Sequence, residues 1–472
     1  MGIDLKIFNT LSMKKEEFVP IEPGEVKIYS CGPTVYNYIH IGNARPMCTF
    51  DVLRRYLEYK GYKVNFVQNF TDVDDKIINR AIENNVEFYD VAEKFINEYK
   101  IDAEGLNIKA PTYAPKATEN IDKMIEIISG LEKKGFAYEK LGDVFFRVSK
   151  CNDYGCLSHM PMEDLELGAR IEVNSKKENP LDFVLWKAAK KGEPYWESPW
   201  GKGRPGWHIE CTAMINKIFG PTIDIHCGGR DLIFPHHENE IAQSTCYTNK
   251  KYVNYWMHNG YINVDNKKMS KSAGNFFTVR DVANKFGYPA IRFMMLQVHY
   301  RSPINYSFDV IKQCISALDR IKNCKANLEL AIKNNTGIDL NLTDDKQYNL
   351  TKYKQMFIDA MDDDLNTADA ISVIFELVTE INTNIVNKND VPKSYLLMAK
   401  QLFDELTGVL GILYESDNCK NEVDEEIKQL VALREKARKE KNFVEADRIR
   451  DEIKSKGFTL EDTPQGVVIK EV

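Results

Sequence analysis

The 472-residue sequence lacks any apolar run long enough to cross a bilayer, and its N-terminal stretch carries no signal-peptide pattern. We therefore expect a cytoplasmic protein with no membrane partner. Internal repeats and low-complexity tracts are also missing, which excludes solenoid and fibrous architectures. The 10 cysteines are scattered, without the close spacing of a small disulfide framework. In a cytoplasmic chain of this size they are expected to be thiols or metal ligands.

Basic residues are not in excess either. The sequence has 63 Lys and Arg residues and 70 Asp and Glu residues, which gives a net charge of −7. Broad electrostatic attraction to nucleic acid is therefore not expected, although a net charge does not exclude a local basic patch. A composition of 43% hydrophobic and 28% charged residues is typical of a soluble globular protein. At this length the chain can form two or three domains with substantial cores.

The N-terminal part of the chain predicts a parallel sheet. Gly24–Cys31 has the alternation of a short strand, Ala44–Tyr59 has apolar residues at the spacing of one helix face, and Lys63–Gln68 predicts the next strand. A strand, a helix and a strand in this order form a βαβ unit. Thr222–His226 and Tyr255–His258 predict later strands of the same sheet. The predicted fold class is therefore α/β, with a Rossmann-like parallel sheet.

The composition changes twice further along the chain. Gly, Pro, Trp and short β-like pieces indicate a segment inserted between strands of the sheet, and a later part has apolar residues at helical spacing. A final segment rich in Lys, Arg and Glu precedes a short β-like tail. The predicted boundaries are 1–129 and 204–262 for the two halves of the sheet domain, 130–203 for the insertion, 263–307 for the region after the sheet, 308–414 for a helical bundle and 415–472 for a small C-terminal domain.

Two short motifs have the chemistry of a nucleotide site. His40-Ile-Gly-Asn43 lies between the first strand and the following helix, where a parallel sheet presents backbone N–H groups and a positive helix end to phosphate. His40 can donate to a phosphate oxygen, and Gly42 allows adenine to approach the backbone. Lys268-Met-Ser-Lys271-Ser follows the last predicted strand, and its lysines can stabilise the developing charge of pyrophosphate. Each motif alone fits an ordinary turn, but the two motifs would rarely occur by chance at these two positions of one sheet.

Together the motifs resemble the H-I-G-H and K-M-S-K-S signatures of class I aminoacyl-tRNA synthetases. The first motif departs at Asn43, where many cysteinyl members of the class also carry Asn. The resemblance implies that His40, Lys268 and Lys271 act catalytically on ATP bound with Mg²⁺. The ATP-binding residues that it implies are His40, Gly42, Asn43, Gly229, Asp231, Lys268 and Lys271.

A second set of residues has the types that bind zinc. His236 and Glu240, four positions apart at a predicted helix start, project from the same helix face. Cys31 ends the first strand, and Cys211 lies much further along the chain. Spacing alone does not group these four residues, since an exposed helix start and buried thiols would explain them as well. The rival thiols are Cys48, Cys151, Cys156 and Cys227.

Three sequence blocks group these residues by resemblance. They begin at Cys31-Gly-Pro-Thr, Gly206-Trp-His-Ile-Glu-Cys and Phe234-Pro-His-His-Glu-Asn-Glu, and they are similar to the blocks through which the cysteinyl-tRNA synthetase family binds one Zn²⁺ per chain. The similarity extends to Asn69–Asp75 and, with gaps, over nearly the full length. The implied zinc ligands are Cys31, Cys211, His236 and Glu240, and the implied cysteine-pocket residues are Thr71 and Trp207. From the sequence alone, Trp207 fits an ordinary core position almost equally well.

The resemblance also implies the reaction. L-Cysteine and ATP would give cysteinyl-adenylate, from which the amino acid passes to the 3′ end of tRNA(Cys). Zinc prefers thiolate to hydroxyl, whereas pocket shape alone separates cysteine from serine by roughly 100-fold at most. By the same resemblance, 263–307 contacts the tRNA stem, 130–203 is a connective insertion, and 415–472 binds the anticodon. The enzyme is expected to act as a monomer.

A basic cluster near the C-terminus is the local feature that would contact tRNA. Acidic residues are interleaved with it, so a solvated helix face is the alternative interpretation. The cluster surrounds Phe443 and consists of Arg434, Lys436, Arg438, Lys439, Lys441, Arg448 and Arg450.

Two other functions stay open at this point. A cysteine ligase of mycothiol synthesis resembles the catalytic half of the family but lacks the anticodon domain, and a zinc-stabilised RNA-binding protein needs neither ATP motif. Gly201-Lys-Gly-Arg-Pro-Gly206 matches a dinucleotide-binding fingerprint, but no strand is predicted directly before it. A dehydrogenase is therefore not expected.

Overall fold

A computed structural model of the protein describes residues 5–160, 176–265, 267–268, 276–335, 350–386, 391–414, 425–440, 442–456, 458–463 and 466–471. The chain forms two compact units, Met1–Cys314 with Ile358–Ala370, and Ile315–Phe357 with Ile371–Val472. Ile358–Ala370 lies within the segment 308–414 that was expected to form a bundle, yet it belongs to the first unit. The domain boundaries drawn from composition stay predictions.

The order of elements follows the predicted alternation of strands and helices before it becomes helical. The strands are β1 (Lys6–Asn9), β2 (Lys14–Glu17), β3 (Glu25–Ser30), β4 (Lys63–Gln68), β5 (Ala137–Lys140), β6 (Asp143–Phe146), β7 (Phe183–Ala188), β8 (Gly203–Pro205), β9 (Ile223–Gly229), β10 (Val253–Asn259), β11 (Ile262–Val264), β12 (Lys267–Lys268), β13 (Ile304–Tyr306), β14 (Phe458–Thr463) and β15 (Gly466–Glu471). The helices are α1 (Ile41–Tyr59), α2 (Asp75–Asn84), α3 (Phe88–Gly105), α4 (Ile121–Lys133), α5 (Trp207–Phe219), α6 (Glu238–Thr248), α7 (Val279–Phe286), α8 (Tyr288–Leu296), α9 (Phe308–Asn334), α10 (Thr351–Asp362), α11 (Thr367–Glu380), α12 (Lys393–Leu410), α13 (Glu425–Lys439) and α14 (Phe443–Ser455). None of the helices in the described ranges is both long and apolar enough to span a bilayer.

A four-stranded sheet in the order β10-β9-β3-β4 forms the centre of the first unit, and every neighbouring pair is parallel. The predicted Rossmann-like α/β fold is therefore confirmed. The inward side chains of Val26 and Ile28 are fully buried, as the alternation along β3 predicts. Because all four strands run the same way, their carboxyl ends meet at one edge, where ligands bind in open α/β sheets.

Helix α1 begins at Ile41, three residues before the predicted start at Ala44. The side-chain oxygen of Asn43 accepts a hydrogen bond from the His40 backbone N–H at 3.0 Å, which stabilises the first turn. The polar residues of the motif therefore belong to the helix start itself, which agrees with the predicted position of the motif, although apolar periodicity began only at Ala44.

The inserted segment forms an antiparallel sheet in the order β5-β6-β7-β8. Two glycines of the apparent dinucleotide fingerprint lie in or next to β8, where they permit close packing. A Cβ added at Gly203 would lie 2.2 Å from Trp186 Nε1, and one at Gly206 would lie 2.1 Å from the Val184 carbonyl oxygen. The glycines therefore serve strand pairing, in agreement with the rejection of a dehydrogenase.

The second unit contains a small hydrophobic core between α13 and α14. Its buried members are Ile427, Leu430, Ile449 and Ile453. The strands β14 and β15 pair antiparallel over Phe458–Thr463 and Gly466–Glu471. The hairpin agrees with the predicted β-like tail, whereas the charged segment, predicted as one helix from Asp424 to Ser455, forms the two helices α13 and α14.

Candidate active site and metal centre

The His40–Asn43 turn lies at the carboxyl edge of the central sheet and pairs with the segment that follows the Lys268–Ser272 motif. The Ile41 backbone N–H donates to the Phe277 carbonyl at 3.0 Å, and the rings of His40 and Phe276 are 5.5 Å apart. Lys271 lies outside the described residues, as does the side chain of Lys268. The structure thus brings the first motif into contact with Phe276 and Phe277, which follow the second motif in the sequence.

A cavity of about 590 Å³ opens at the same edge. Its lining includes the nucleotide-motif residues His40, Gly42 and Asn43, together with Gly229 and Asp231. A Cβ at Gly229 would lie 2.3 Å from Asp231 Oδ1, so the Asp231 carboxylate folds back over the backbone of Gly229. The described residues predicted to bind ATP therefore share one cavity.

The four predicted metal ligands converge, although they come from three separate parts of the chain. Cys31 follows β3, Cys211 lies in α5, and His236 and Glu240 lie before and within the first turn of α6. One donor atom from each residue lies within 4.8 Å of the donor atoms of the other three. All but Cys31 are fully buried.

The distances between these donor atoms suit a tetrahedral zinc ion. Cys31 Sγ lies 3.8 Å from Cys211 Sγ and 3.7 Å from Glu240 Oε1. His236 Nε2 lies 3.6 Å from Cys211 Sγ and 3.1 Å from Glu240 Oε1. Ligands bound at about 2.0–2.3 Å from a tetrahedral centre are about 3.3–3.8 Å apart. The donor set and its spacing therefore fit Zn²⁺.

Electrostatics at the group favour a bound cation. Burial opposes ionisation of Glu240, but the neighbouring imidazoles of His226 and His236 outweigh it and hold the pKa of this carboxyl below its usual range. Burial also opposes ionisation of Cys211, yet hydrogen bonds from Cys31 and His236 lower its pKa to about 6. A buried carboxylate and a readily formed thiolate are the ligands that a divalent cation requires.

Sequence reasoning missed a second, overlapping group. His226 and His237 form it together with Cys31 and Glu240. Cys31 Sγ lies 3.2 Å from His237 Nε2, and His226 Nε2 lies 3.0 Å from Glu240 Oε2. Because both groups use Cys31 and Glu240, they cannot hold two ions independently. His237 could have been found in the sequence because it directly follows the predicted ligand His236. His226 lies within a strand, and its sequence neighbours give no sign of a metal ligand.

Surrounding side chains orient the ligands. The Tyr252 hydroxyl donates to Glu240 Oε2 at 2.9 Å, and the Nδ1 atoms of His208 and His236 are 3.0 Å apart. The other ring nitrogen of His237, Nδ1, lies 2.8 Å from His258 Nε2. Partners of this kind fix the ring orientation and tautomer of metal-binding histidines.

Of the two residues predicted for the cysteine pocket, Trp207 contacts a metal ligand, and Thr71 contacts Glu210, the residue before the ligand Cys211. Trp207 is 41% exposed, and its ring stacks on that of His236 with centroids 4.3 Å apart. Trp207 therefore occupies a wall near the metal group, not an ordinary core position. Thr71 is buried, and its hydroxyl donates to Glu210 Oε2 at 2.6 Å.

This fold and site define the catalytic domain of a class I aminoacyl-tRNA synthetase. Residues 17–316 match the family described as tRNA synthetases class I (C) catalytic domain, and residues 356–414 match the DALR domain. A solved structure of Mycobacterium tuberculosis methionyl-tRNA synthetase in complex with methionyl-adenylate shares the fold. Its TM-score is 0.59 at 14% identity, with 82% of this chain and 90% of that chain covered.

Sequence comparison shows to which family within this class the chain belongs. A cysteine–tRNA ligase of Caldicellulosiruptor saccharolyticus is 54% identical over 469 residues, which are 99% of this chain and 100% of the relative. A cysteine–tRNA ligase of Clostridioides difficile is 54% identical over 475 residues, again 99% of this chain and 100% of the relative. The chain belongs to the cysteine–tRNA ligase family.

Proposed function

We propose that this chain activates L-cysteine with ATP and transfers it to the 3′ end of tRNA(Cys), with Zn²⁺ selecting the substrate thiolate. The observation that carries the proposal is that Cys31 lines the same cavity of about 590 Å³ as His40 and Gly42. A thiol recognised at the metal group therefore lies next to the nucleotide turn. The full-length similarity to cysteine–tRNA ligases supports the same substrates.

The zinc ligands in this proposal are Cys31, Cys211, His236 and Glu240. The ion supplies a bond to the substrate sulfur that the hydroxyl of serine makes poorly. This group is preferred to the one with His226 and His237 because it offers two thiol ligands, which suit zinc and a soft substrate. Trp207, stacked on His236, and Thr71 would form the walls of the amino-acid pocket.

In the first step the cysteine carboxylate attacks the α-phosphorus of Mg²⁺-bound ATP, and pyrophosphate leaves. Transfers of this type depend mainly on positioning and charge stabilisation. We assign the stabilisation to His40, Lys268 and Lys271. Gly42, Asn43, Gly229 and Asp231 would hold the adenosine and phosphates at the carboxyl edge of the sheet.

In the second step a ribose hydroxyl of the terminal tRNA nucleotide attacks the carbonyl carbon, and AMP leaves. The second unit would then hold the tRNA, although part of the predicted basic cluster is unsuited to it. Arg434 is only 4% exposed, and Arg448 is paired with Glu445 and Glu452 on its own helix. Phe443, 62% exposed, stays a candidate for stacking on a base.

The test compares Cys211→Ser with Cys227→Ser, a matched variant of a buried thiol in β9 that is outside both metal groups. We expect about one zinc per chain in the wild type and in Cys227→Ser, together with cysteine-dependent ATP–pyrophosphate exchange and aminoacylation of tRNA(Cys). Cys211→Ser should lose zinc and much of the preference for cysteine over serine. Active wild-type protein without metal, or equal exchange with serine, would contradict the proposal.

A further inference from the structure

The side chain of Asn259 has no role in the reaction as proposed, although it lies at the nucleotide site. Asn259 is the last residue of β10, and in the sheet it pairs with Gly229 at the end of β9. Both residues line the cavity of about 590 Å³, together with Asp231 and His40. Asn259 therefore lies at the carboxyl edge of the sheet, where ligands of open α/β sheets bind.

The amide of Asn259 is buried with one of its two polar groups unsatisfied. Its Nδ2 donates to the Gly260 carbonyl at 3.0 Å, whereas Oδ1 has no hydrogen-bond partner among the described residues. Reversing the amide would place its oxygen against the Gly260 carbonyl oxygen, so hydrogen bonding favours the orientation observed. The residue is only 3% exposed and makes little contact with bulk water. Buried acceptors without a partner are rare in folded proteins, and a ligand can supply the missing donor.

The backbone around Asn259 holds this amide in place. Because side chains alternate along a strand, Asn259 lies on the opposite face of β10 from His258, whose Nε2 lies 2.8 Å from His237 Nδ1. The backbone N–H of the next residue, Gly260, donates to the Tyr300 carbonyl at 2.8 Å. The acceptor is therefore positioned before a ligand binds, on the other face of the strand from the histidines.

The chemistry of ATP indicates which group this oxygen would accept. The phosphate oxygens and the ring nitrogens of adenine offer lone pairs, so the donors of the nucleotide are the 6-amino group of adenine and the ribose hydroxyls. The hydroxyls can donate to the carboxylate of Asp231, which lines the same cavity. The amino group is then the donor that still needs a partner.

We propose that Asn259 Oδ1 accepts a hydrogen bond from the 6-amino group of adenine and makes the site selective for ATP. The inference rests on the proposed function, because it requires that the cavity binds a nucleotide. Guanine carries an oxygen at position 6, which would face Oδ1 as acceptor against acceptor. A site built around a buried hydrogen-bonding group rejects such analogues, because the group is left unpaired.

Nucleotide binding without cysteine or tRNA tests the proposal, because it separates recognition of the base from catalysis. The full-length protein is titrated calorimetrically with the Mg²⁺ complexes of ATP and of purine riboside triphosphate, which lacks only the 6-amino group. We expect the wild type to bind purine riboside triphosphate about 2- to 13-fold more weakly than ATP, the equivalent of one hydrogen bond. Asn259→Ala should bind the two nucleotides equally, with about the affinity of the wild type for purine riboside triphosphate.

A matched variant and a second pair of nucleotides assign the contact. Asn263→Ala removes another amide that lines the same cavity, and it should keep the preference for ATP. With 2′-deoxy-ATP and 3′-deoxy-ATP, the wild type and Asn259→Ala should lose affinity by the same factors. If Asn259→Ala does not fold, Asn259→Ser takes its place, since the serine hydroxyl is too short to reach the same position.

Three results would overturn the proposal. The first is equal binding of ATP and purine riboside triphosphate by the wild type. The second is a preference for ATP that persists in Asn259→Ala or is lost in Asn263→Ala. The third is an Asn259→Ala variant that stops distinguishing ATP from its deoxyribose analogues, because the amide would then bind the ribose. A folded wild type that binds none of these nucleotides would overturn the proposed function as well.

Discussion

The carboxylate of Asp51, in the middle of α1, is the centre of a buried ion pair. It accepts hydrogen bonds from Arg292 Nη2 at 2.6 Å, from Arg55 Nε at 2.6 Å and from the Lys109 backbone N–H at 2.8 Å. The side chains of Asp51 and Arg292 are 1% and 0% exposed. Burial opposes ionisation, but the charges of Arg292 and Arg55 outweigh it and lower the pKa of Asp51.

Asp51→Asn should therefore cost much of the stability of the first unit. The substitution removes the negative charge and leaves the Arg292 guanidinium buried without its carboxylate counter-ion, among neutral acceptors such as the carbonyls of Leu106 and Asn107. Breaking one side of a buried pair costs about 3–5 kcal/mol, out of a typical total of about 5–15 kcal/mol. The double variant Asp51→Asn with Arg292→Met should lose less than the sum of the single variants, by about 0.5–3 kcal/mol.

Urea unfolding monitored by tryptophan fluorescence measures this loss of unfolding free energy in the unit that contains Asp51. The first unit, which contains Asp51, also contains all five tryptophans, Trp186, Trp196, Trp200, Trp207 and Trp256. The matched control is Asp363→Asn, whose carboxylate pairs with Lys15 but is 58% exposed, so that its cost should be about 0–1 kcal/mol. A cost for Asp51→Asn no larger than that of the control would refute the reasoning.

The pH dependence gives an independent check of the same ion pair. Because the folded-state pKa of Asp51 is lowered, its contribution is fully present above the unfolded-state pKa of about 3.9. The contribution is lost as the pH falls below that value and through the folded-state pKa. The difference in unfolding free energy between wild type and Asp51→Asn should therefore shrink on acidification below about pH 4. A difference that stays constant with pH would contradict the assignment to this carboxylate.

Two further predictions concern the site itself. Gly32→Ala should destabilise the fold by about 3 kcal/mol or more, because the added Cβ would lie 1.6 Å from the Asn69 carbonyl oxygen. Gly408→Ala, whose Cβ would meet nothing within 4 Å, should be neutral or stabilising by up to about 1 kcal/mol, and circular dichroism during urea unfolding measures both. Trp207→Ala should raise the KM for cysteine about 2- to 13-fold, the equivalent of one aromatic contact of about 0.5–1.5 kcal/mol, while Trp207→Phe should keep it near the wild-type value. Steady-state exchange kinetics measure this effect, and an unchanged KM would remove Trp207 from the pocket.

The central sheet could be predicted because the sequences of its strands have the apolar residues that buried strands require. β4 has the predicted bounds Lys63–Gln68, and β3 differs from the prediction by one residue at each end. The strand β2, Lys14–Glu17, was not predicted, because its four residues are all charged and show no apolar alternation. Its position is fixed by pairing with β1, for example Phe8 with Lys15. Pairing partners of this kind are invisible in a local window of sequence.

The metal group likewise contains residues that a local sequence pattern predicts and residues that only the three-dimensional fold brings together. The i, i+4 relation of His236 and Glu240 placed two donors together, and their side chains are 3.1 Å apart in the structure. Cys31 and Cys211 join them only through the fold, so spacing could not group them, and a family resemblance was needed. His226 was missed altogether, because a fully buried histidine within a strand has no distinguishing local pattern.

The position of Cys31 links amino-acid selection to ATP chemistry under the proposed function. β3 ends at Ser30, so Cys31 is the first residue beyond the carboxyl edge of the sheet, and it faces the cavity that His40 and Gly42 also line. A metal group of the same composition at the opposite edge would still prefer thiolate, but it would hold the substrate on the wrong side of the sheet. Selection by sulfur is therefore useful here only because the parallel topology brings the end of β3 and the start of α1 to the same cavity.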